Sequence, residues 1–525
     1  MYYKANDIKI NIDELLQTNP REAIIKKLHL SETEVKNFNI LKMSIDSRRH
    51  SSLGIFKVFT VEFNYPRYIK DKNVKLLNRT DEKPERTNIQ QVRYDEMLPV
   101  IIGSGPCGLF LALRLLDYGI RSIIIERGSD IVKRSEDVKK FWDEAILDEN
   151  SNVQFGLGGA GTFSDGKLMS RSKSEKTGYV LEKFVEFGAK KSILYDAKPH
   201  IGTDKLKNIV TNIKTHLIDS GVEFRFDTTM TDIVIKENKV RAVVLTEKEE
   251  LACDTLFLCL GNSARKTFEM LHKKGVYIEA KSLAIGVRVE HPQAIIDKYT
   301  YGKYIDHQEL PPAPYAITYK DEQTGKSVYS FCNCPGGVVI NASSEKDGLC
   351  VNGMSFSRRS LENANSALVV NVPTDSTNTS PLALMRFQEE LERKAFTLGG
   401  SNFTAPVMNI SDLIGISLNE KTKPTVKPNY IYSDFNDILP ETIITPLKNA
   451  IIEFNRRIDG FSSGVLTAIE TRTSSAIRIT RDKDLMSIST KGIYPLGEGS
   501  GYAGGITSSA IDGVKGADMF AKKFY

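Results

Sequence analysis

The sequence predicts an α/β protein. One domain is assembled from two segments far apart in the chain, an α+β domain is inserted between them, and a small α+β domain precedes both. Three observations predict this. An apolar strand at Val100–Ile102 runs directly into Gly103-Ser-Gly105-Pro-Cys-Gly108 and then into a helical run, the opening of a Rossmann-like unit. A second glycine-rich segment, Gly497-Glu-Gly-Ser-Gly501-Tyr-Ala-Gly504-Gly505-Ile506, stands close to the C-terminus. Between the two, from about Lys281, the pattern changes to β-rich stretches followed by a helix.

Bulk properties narrow the class. A chain of 525 residues holds two to four domains. Its 41% apolar and 26% charged residues are those of an ordinary globular protein. A net charge of +5 is mild at this length; it gives no reason to invoke nucleic acid and suits an acidic small substrate equally well. The start, Met1-Tyr-Tyr-Lys-Ala-Asn-Asp7, has no apolar signal core, so secretion is not expected. The apolar run Leu109–Leu116 is interrupted by Arg114 and is too short to span a bilayer. The six cysteines form no C-x-x-C and no metal-ligand spacing, which points to free thiols.

Residues 1–93 form the first unit, an α+β module and a linker. Ile8–Ile12 alternates as a strand, and Asn19-Pro20 caps and opens a helix reaching Leu28. Phe38–Asp46 and Gly54–Asn64 are further strands, with the basic cluster Arg48-Arg49-His50 between them. From Arg67 to Arg93 eight basic and four acidic residues with few large apolar ones describe an exposed linker. Residues 94–280 form the first part of the nucleotide domain. The strand at Pro99–Ile102, a helix over Pro106–Tyr118 closed by Gly119, and the strand Ser122–Ile125 make a βαβ unit ending at Glu126. A glycine-rich loop (Phe155–Thr162), a helix at Asp204–Ser220, a hairpin over 233–246 and a buried strand at Thr255–Cys259 follow. Residues 281–460 are the inserted domain, with strands at Leu283–Glu290, Ser327–Phe331 and Gly337–Ala342 and a helix at Pro381–Thr397. Residues 461–525 return to the first domain.

Each glycine of the first motif has a mechanical role. Gly103 permits the turn, Gly105 lets backbone approach a diphosphate, and Gly108 lets the helix pack against the sheet. The diphosphate then sits on the free N–H groups of that helix. Glu126 lies 18 residues past Gly108, where a carboxylate accepts both hydroxyls of an adenosine ribose and disfavours a 2′-phosphate. A simple NAD dehydrogenase has no need of the second glycine segment, so the layout favours an extended FAD. Gly497-Glu498 supplies a carboxylate and backbone for the ribityl hydroxyls. Gly504-Gly505-Ile506 opens a helix whose positive end faces the flavin pyrimidine ring. The cofactor residues are therefore Gly103, Ser104, Gly105, Pro106, Cys107 and Gly108; Glu126 and Arg127; Gly158, Gly159, Ala160, Gly161 and Thr162; Gly261; and Gly497, Glu498, Gly504, Gly505 and Ile506.

The segments Phe155-Gly-Leu-Gly-Gly-Ala-Gly-Thr-Phe-Ser-Asp-Gly-Lys167, Lys198–Asp204, Phe331-Cys-Asn-Cys-Pro-Gly-Gly337 and Tyr494–Ile506 closely resemble uncharacterised FAD-dependent dehydrogenases (NAD(FAD)-utilising dehydrogenases) of the glutathione-reductase-like flavoprotein superfamily. The resemblance spans nearly the whole chain. It implies a cytoplasmic flavoprotein with a small N-terminal α+β domain, an FAD domain and an inserted second domain, and it implies no particular substrate. Cys107 stands where many flavoproteins carry alanine.

The expected function is an FAD-dependent oxidoreductase passing hydride between a small-molecule substrate and flavin N5, with His200, Arg472 and Cys334 as candidate catalytic residues. His200 sits in a short loop, where proton transfer or a structural role is open. Arg472 is the preferred anchor for an anionic substrate or the flavin edge, with an ion pair to Glu470 as the alternative. Arg288 and Glu290 share a strand face and are expected to pair. Cys332 and Cys334 flank Asn333; a disulfide between two such residues of an extended strand would be strained. No second G-x-G-x-x-G follows a strand, so NAD(P)H, if it is the donor, docks without that motif. Two alternatives stand beside this reading: a flavoprotein-fold binding protein without catalysis, and a flavoprotein acting on RNA through Arg48-Arg49 and the basic linker.

Overall fold

Short strands buried at every position stack into the central layer. The five-stranded parallel sheet runs Ile493–Pro495, Leu256–Leu258, Val100–Ile102, Ile123–Ile125, Glu223–Arg225. The first four are buried at every position, as a parallel sheet covered on both faces requires, while the edge strand Glu223–Arg225 is not. One edge strand comes from the C-terminal segment, so chain far from Val100–Ile102 in sequence completes the sheet. Helices Pro106–Asp117 and Ile506–Ala521 pack together at glycine: a Cβ on Gly513 would lie 2.2 Å from the Cys107 carbonyl oxygen. The computed structural model describes residues 1–48, 50–77, 90–169, 174–374 and 380–525.

The N-terminal unit is a four-stranded antiparallel sheet in the order Lys36–Asp46, Phe56–Asn64, Tyr2–Asn11, Val74–Leu77. Helix Pro20–Lys27 covers it; the Asn19 side chain accepts the Glu22 N–H at 3.0 Å. Strand Val74–Leu77 falls within the segment expected to be a linker. As an edge strand pairing only with Tyr2–Ala5, it needs no long apolar run, and its local sequence does not mark it. The expected basic contact includes Arg49 and residues 78–89, which lie outside the described residues. Arg48 is held by Asp46 through bonds of 2.9 and 3.0 Å.

The inserted unit is a seven-stranded sheet in the order Thr318–Lys320, Ser327–Cys334, Asn363–Val372, Leu283–Pro292, Val465–Glu470, Ala405–Asn409, Tyr430–Tyr432. Helices Ala383–Leu398 and Glu441–Arg457 bury apolar faces against the same core as this sheet. Val465–Glu470 pairs with Leu283–Pro292 and Ala405–Asn409, so the chain leaves this sheet only after Glu470, later than the expected change at residue 461. That strand is buried at all positions and carries no local mark of which sheet it joins. Among the described residues, no helix is long and apolar enough to cross a membrane.

Candidate cofactor cleft

The first wall of the cleft is backbone. Gly103 adopts φ +104°, and a Cβ there would sit 2.6 Å from the Cys259 carbonyl oxygen; one on Gly108 would sit 2.0 Å from the Gly103 carbonyl oxygen. Both contacts exclude any side chain, so the turn must be glycine. Gly105 caps helix Pro106–Asp117 without a side-chain acceptor, and a Cβ there meets only the Gly159 Cα at 3.8 Å. The free N–H groups of this helix therefore open onto the cleft.

Glu126, 5% exposed, ends the second strand of the unit and ties this turn to the next loop. Its Oε2 accepts the Ser104 N–H at 2.8 Å and the Ser104 hydroxyl at 2.7 Å. Its Oε1 accepts the N–H groups of Gly128 at 2.9 Å and Gly156 at 3.0 Å. Those donors fill the carboxylate's accepting positions. A ribose hydroxyl reaching it must displace one of them, and the rotatable Ser104 hydroxyl is the one that can turn away.

Arg134 was not singled out in the sequence, yet it shapes the same wall. Fully buried, it donates to the carbonyl oxygens of Asn152, Val153, Gly156, Leu157 and Gly159 at 2.7–3.2 Å. Burial pulls its guanidinium down to about 10. The signal was present: Ile131, Arg134, Val138 and Phe141 make the buried face of helix Ile131–Glu144, and an arginine there needs partners.

The far wall comes from the C-terminal segment. Gly497, at φ +77°, donates its N–H to Asp512 at 2.8 Å. Glu498 borders the cleft and accepts the Asn262 amide at 2.9 Å; burial pushes its carboxyl up to about 7. A Cβ on Gly504 or Gly505 would meet nothing within 4 Å, and helix Ile506–Ala521 starts there with no side-chain cap. Two uncapped helix N-termini, one from each end of the nucleotide domain's sequence, thus open onto one cleft.

Of the sequence-assigned cofactor residues, Gly103, Gly105, Pro106, Cys107, Glu126, Arg127, Gly159, Ala160, Gly161, Gly261, Glu498, Gly504, Gly505 and Ile506 line this cleft. Ser104, Gly108, Gly158, Thr162 and Gly497 are buried behind the lining. Among the catalytic candidates, only Arg472 lines it. Its N–H groups go to Glu392 at 3.0 and 2.7 Å, Ser263 at 3.0 Å and Ser344 at 2.6 Å. These bonds occupy four of its five donors. The alternative ion pair of Arg472 with Glu470 is not formed: its carboxylate partner is Glu392, shared with Arg265 at 2.8 Å. Glu470 instead binds Arg288 at 2.5 and 2.9 Å. The expected Arg288–Glu290 pair is absent as well; Glu290 accepts from Thr425 and Asn363. His200 stands outside the lining, bridged to Lys167, and burial and then Arg359 hold its pKa below the usual histidine range. Cys334 is fully buried behind Cys332, which does line the cleft with Lys167, Asn352, Glu470 and Thr473.

Comparison with known proteins agrees with this geometry. Residues 282–473 match the model of the FAD-dependent protein, C-terminal domain-like family, and residues 97–136 match an FAD binding domain. A protein of Clostridium beijerinckii described as uncharacterized is 40% identical over 540 residues, covering 100% of this chain and 99% of its own. Solved structures with a loose likeness include a geranylgeranyl bacteriochlorophyll reductase-like protein of Thermoplasma acidophilum (11% identity, 81% and 78% of the two chains, TM-score 0.35). CtdE in complex with FAD is another (8% identity, 82% and 84%, TM-score 0.32). Likenesses this distant carry no argument about the reaction. The cofactor is FAD.

Proposed function

This chain belongs to the family of its clostridial relative, and on that premise we propose that it is an FAD-dependent oxidoreductase transferring hydride between a small-molecule substrate and flavin N5. A single observation carries the reading: the two uncapped helix N-termini at Gly105–Pro106 and Gly505–Ile506 face one continuous cleft. The two-segment layout also supports the glutathione-reductase-like placement. The flavin, when bound, supplies the electron-pair chemistry.

The chain's own residues bind, orient and hold protons. N–H groups of the first helix turn hold the diphosphate, and Glu126 takes the ribose. Arg134, by fixing the carbonyls of residues 152–159, sets the path of the loop that carries Gly159–Gly161 to the middle of the cleft. The positive end of helix Ile506–Ala521 stabilises negative charge developing on the ring edge. Glu498, with a carboxyl near 7, holds a proton at Oε1 or Oε2 within the cleft. Glu470 is similarly raised by burial to about 7, but it faces Arg288. Arg472 positions: it locks Glu392, Ser263 and Ser344 behind the ring end of the cleft.

The test is anaerobic reduction of the bound flavin, first with NADH and NADPH and then with a metabolite panel. Bleaching of the flavin absorbance by one of these supports the reading. A purified protein that is colourless and takes up no added FAD overturns it.

A further inference from the structure

We propose that Cys332 and Cys334 are a redox-active dithiol that closes to a disulfide at the margin of the flavin cleft, a proposal that rests on the oxidoreductase reading above. In a flat strand the two Cα atoms would lie roughly 6.6 Å apart, at the far limit for a disulfide. The strand is not flat here. Ser327–Cys334 pairs Phe331 with Ala367 and resumes at Cys334 with Asn365, so it carries one residue more than its partner across this stretch. Cys332 takes up the bulge at φ +47°, in the left-handed region. The bulge bends the strand locally. The Cys334 thiol donates to the Cys332 carbonyl oxygen at 3.4 Å, which holds it against the residue it would join.

The two cysteines are not equivalent. Cys332 lines the cleft; Cys334 is fully buried behind it. Cations grip the backbone on both sides: Arg288 donates to the Cys332 carbonyl at 2.8 Å, and Lys167 donates to the Asn333 carbonyl. The Cys334 hydrogen bond first, and then these two cations against the cost of burial, hold the Cys332 thiol well below its ordinary range; Cys334 is pushed well above. One member thus opens to the cleft with its thiol pKa held low, and the other is a buried thiol whose proton is held tightly. Asn333 between them is 7% exposed, and neither polar atom of its side chain has a partner, so its side chain does not brace the loop against closure. The other neighbouring pair, Cys107 and Cys259, differs: both are buried, and burial pushes the Cys107 thiol up.

The step balances. The Cys332 Sγ–Cys334 Sγ bond forms and both S–H bonds are lost, the Cys332 proton going to solvent. Two electrons and the Cys334 proton pass to the oxidised flavin, which is the oxidant, and the reverse step reopens the pair.

The experiment uses the FAD-loaded protein, reduced with a thiol reductant, desalted without oxygen, and then reoxidised through its flavin with ferricyanide. Acid quenching, alkylation and trypsin release residues 327–346, a peptide holding these two cysteines and no other. It should carry two alkyl groups after reduction and, after reoxidation, none, with a mass two hydrogens lighter than the dithiol. Cys350→Ser should change nothing. Cys332→Ser, with flavin retained by absorbance, should leave Cys334 alkylated in both states. A peptide that stays doubly alkylated while the flavin spectrum cycles overturns the proposal. A colourless protein overturns the oxidoreductase reading instead; the pair is then tested with diamide, where closure supports the dithiol and an open pair refutes it.

Discussion

Removing the Glu126 carboxylate should damage the empty protein as well as cofactor binding. In Glu126→Ala the N–H groups of Ser104, Gly128 and Gly156 lose their acceptor at once, at a position 5% exposed. A buried donor left without a partner costs about 1–3 kcal/mol, so three cost about 3 kcal/mol even at the lower end. The Ser104 hydroxyl can rotate elsewhere and adds little. The donors belong to three separate segments, the turn after Val100–Ile102, the loop after Ile123–Ile125 and the glycine-rich loop, so the loss is local. Amide hydrogen exchange of Gly128 and Gly156 in the FAD-free protein is the assay, and about 3 kcal/mol corresponds to exchange about 100-fold faster. Ser104→Ala, which removes only the 2.7 Å hydroxyl bond, serves as the control and should leave both amides within a few-fold of the parent rate. Unchanged protection in Glu126→Ala would refute the reasoning, leaving the carboxylate a cofactor contact alone.

Other expected outcomes follow from the same geometry. Gly505→Val places its side chain in open space, so apo stability should stay within about 0.5 kcal/mol while FAD affinity falls at least about tenfold; equal affinity by flavin fluorescence titration would show that the cofactor lies elsewhere. Arg134→Lys keeps the charge but loses the fork that reaches five carbonyls, and should lower both the melting temperature and FAD retention; a variant that keeps its flavin would separate that loop from binding. Glu498 has its folded pKa raised from 4.5 to about 7, so the folded state holds the extra proton between those values. Stability from this group is therefore present below about 4.5 and lost as pH rises through 7. Glu498→Gln should flatten that part of the apo stability profile, and an unchanged slope would contradict the assignment.

The α/β class and the shape of the first turn were legible because they depend on local chemistry. Gly103 and Gly108 stand where a Cβ would strike backbone, and a strand of three apolar residues precedes them. The Asn19-Pro20 helix start is equally local, a side-chain oxygen on an N–H three residues on. What escaped was long-range pairing. Glu470 and Arg472 are near neighbours in sequence, yet one meets Arg288 and the other Glu392, because the chain leaves the seven-stranded sheet between them. Val465–Glu470 reads the same whichever sheet it joins. Arg134 needs partners only because its helix face is buried, and it finds them on the loop that follows the helix. The bulge at Cys332 has no glycine to announce it; only the register against Asn363–Val372 exposes it.

The most direct measurement is a crystal structure of the FAD-loaded protein. The expected result places the diphosphate on the N–H groups at Gly105–Cys107 and the pyrimidine edge of the ring at Gly505–Ile506. FAD bound with either end away from its helix, or a cleft closed by side chains in the loaded protein, would contradict the account.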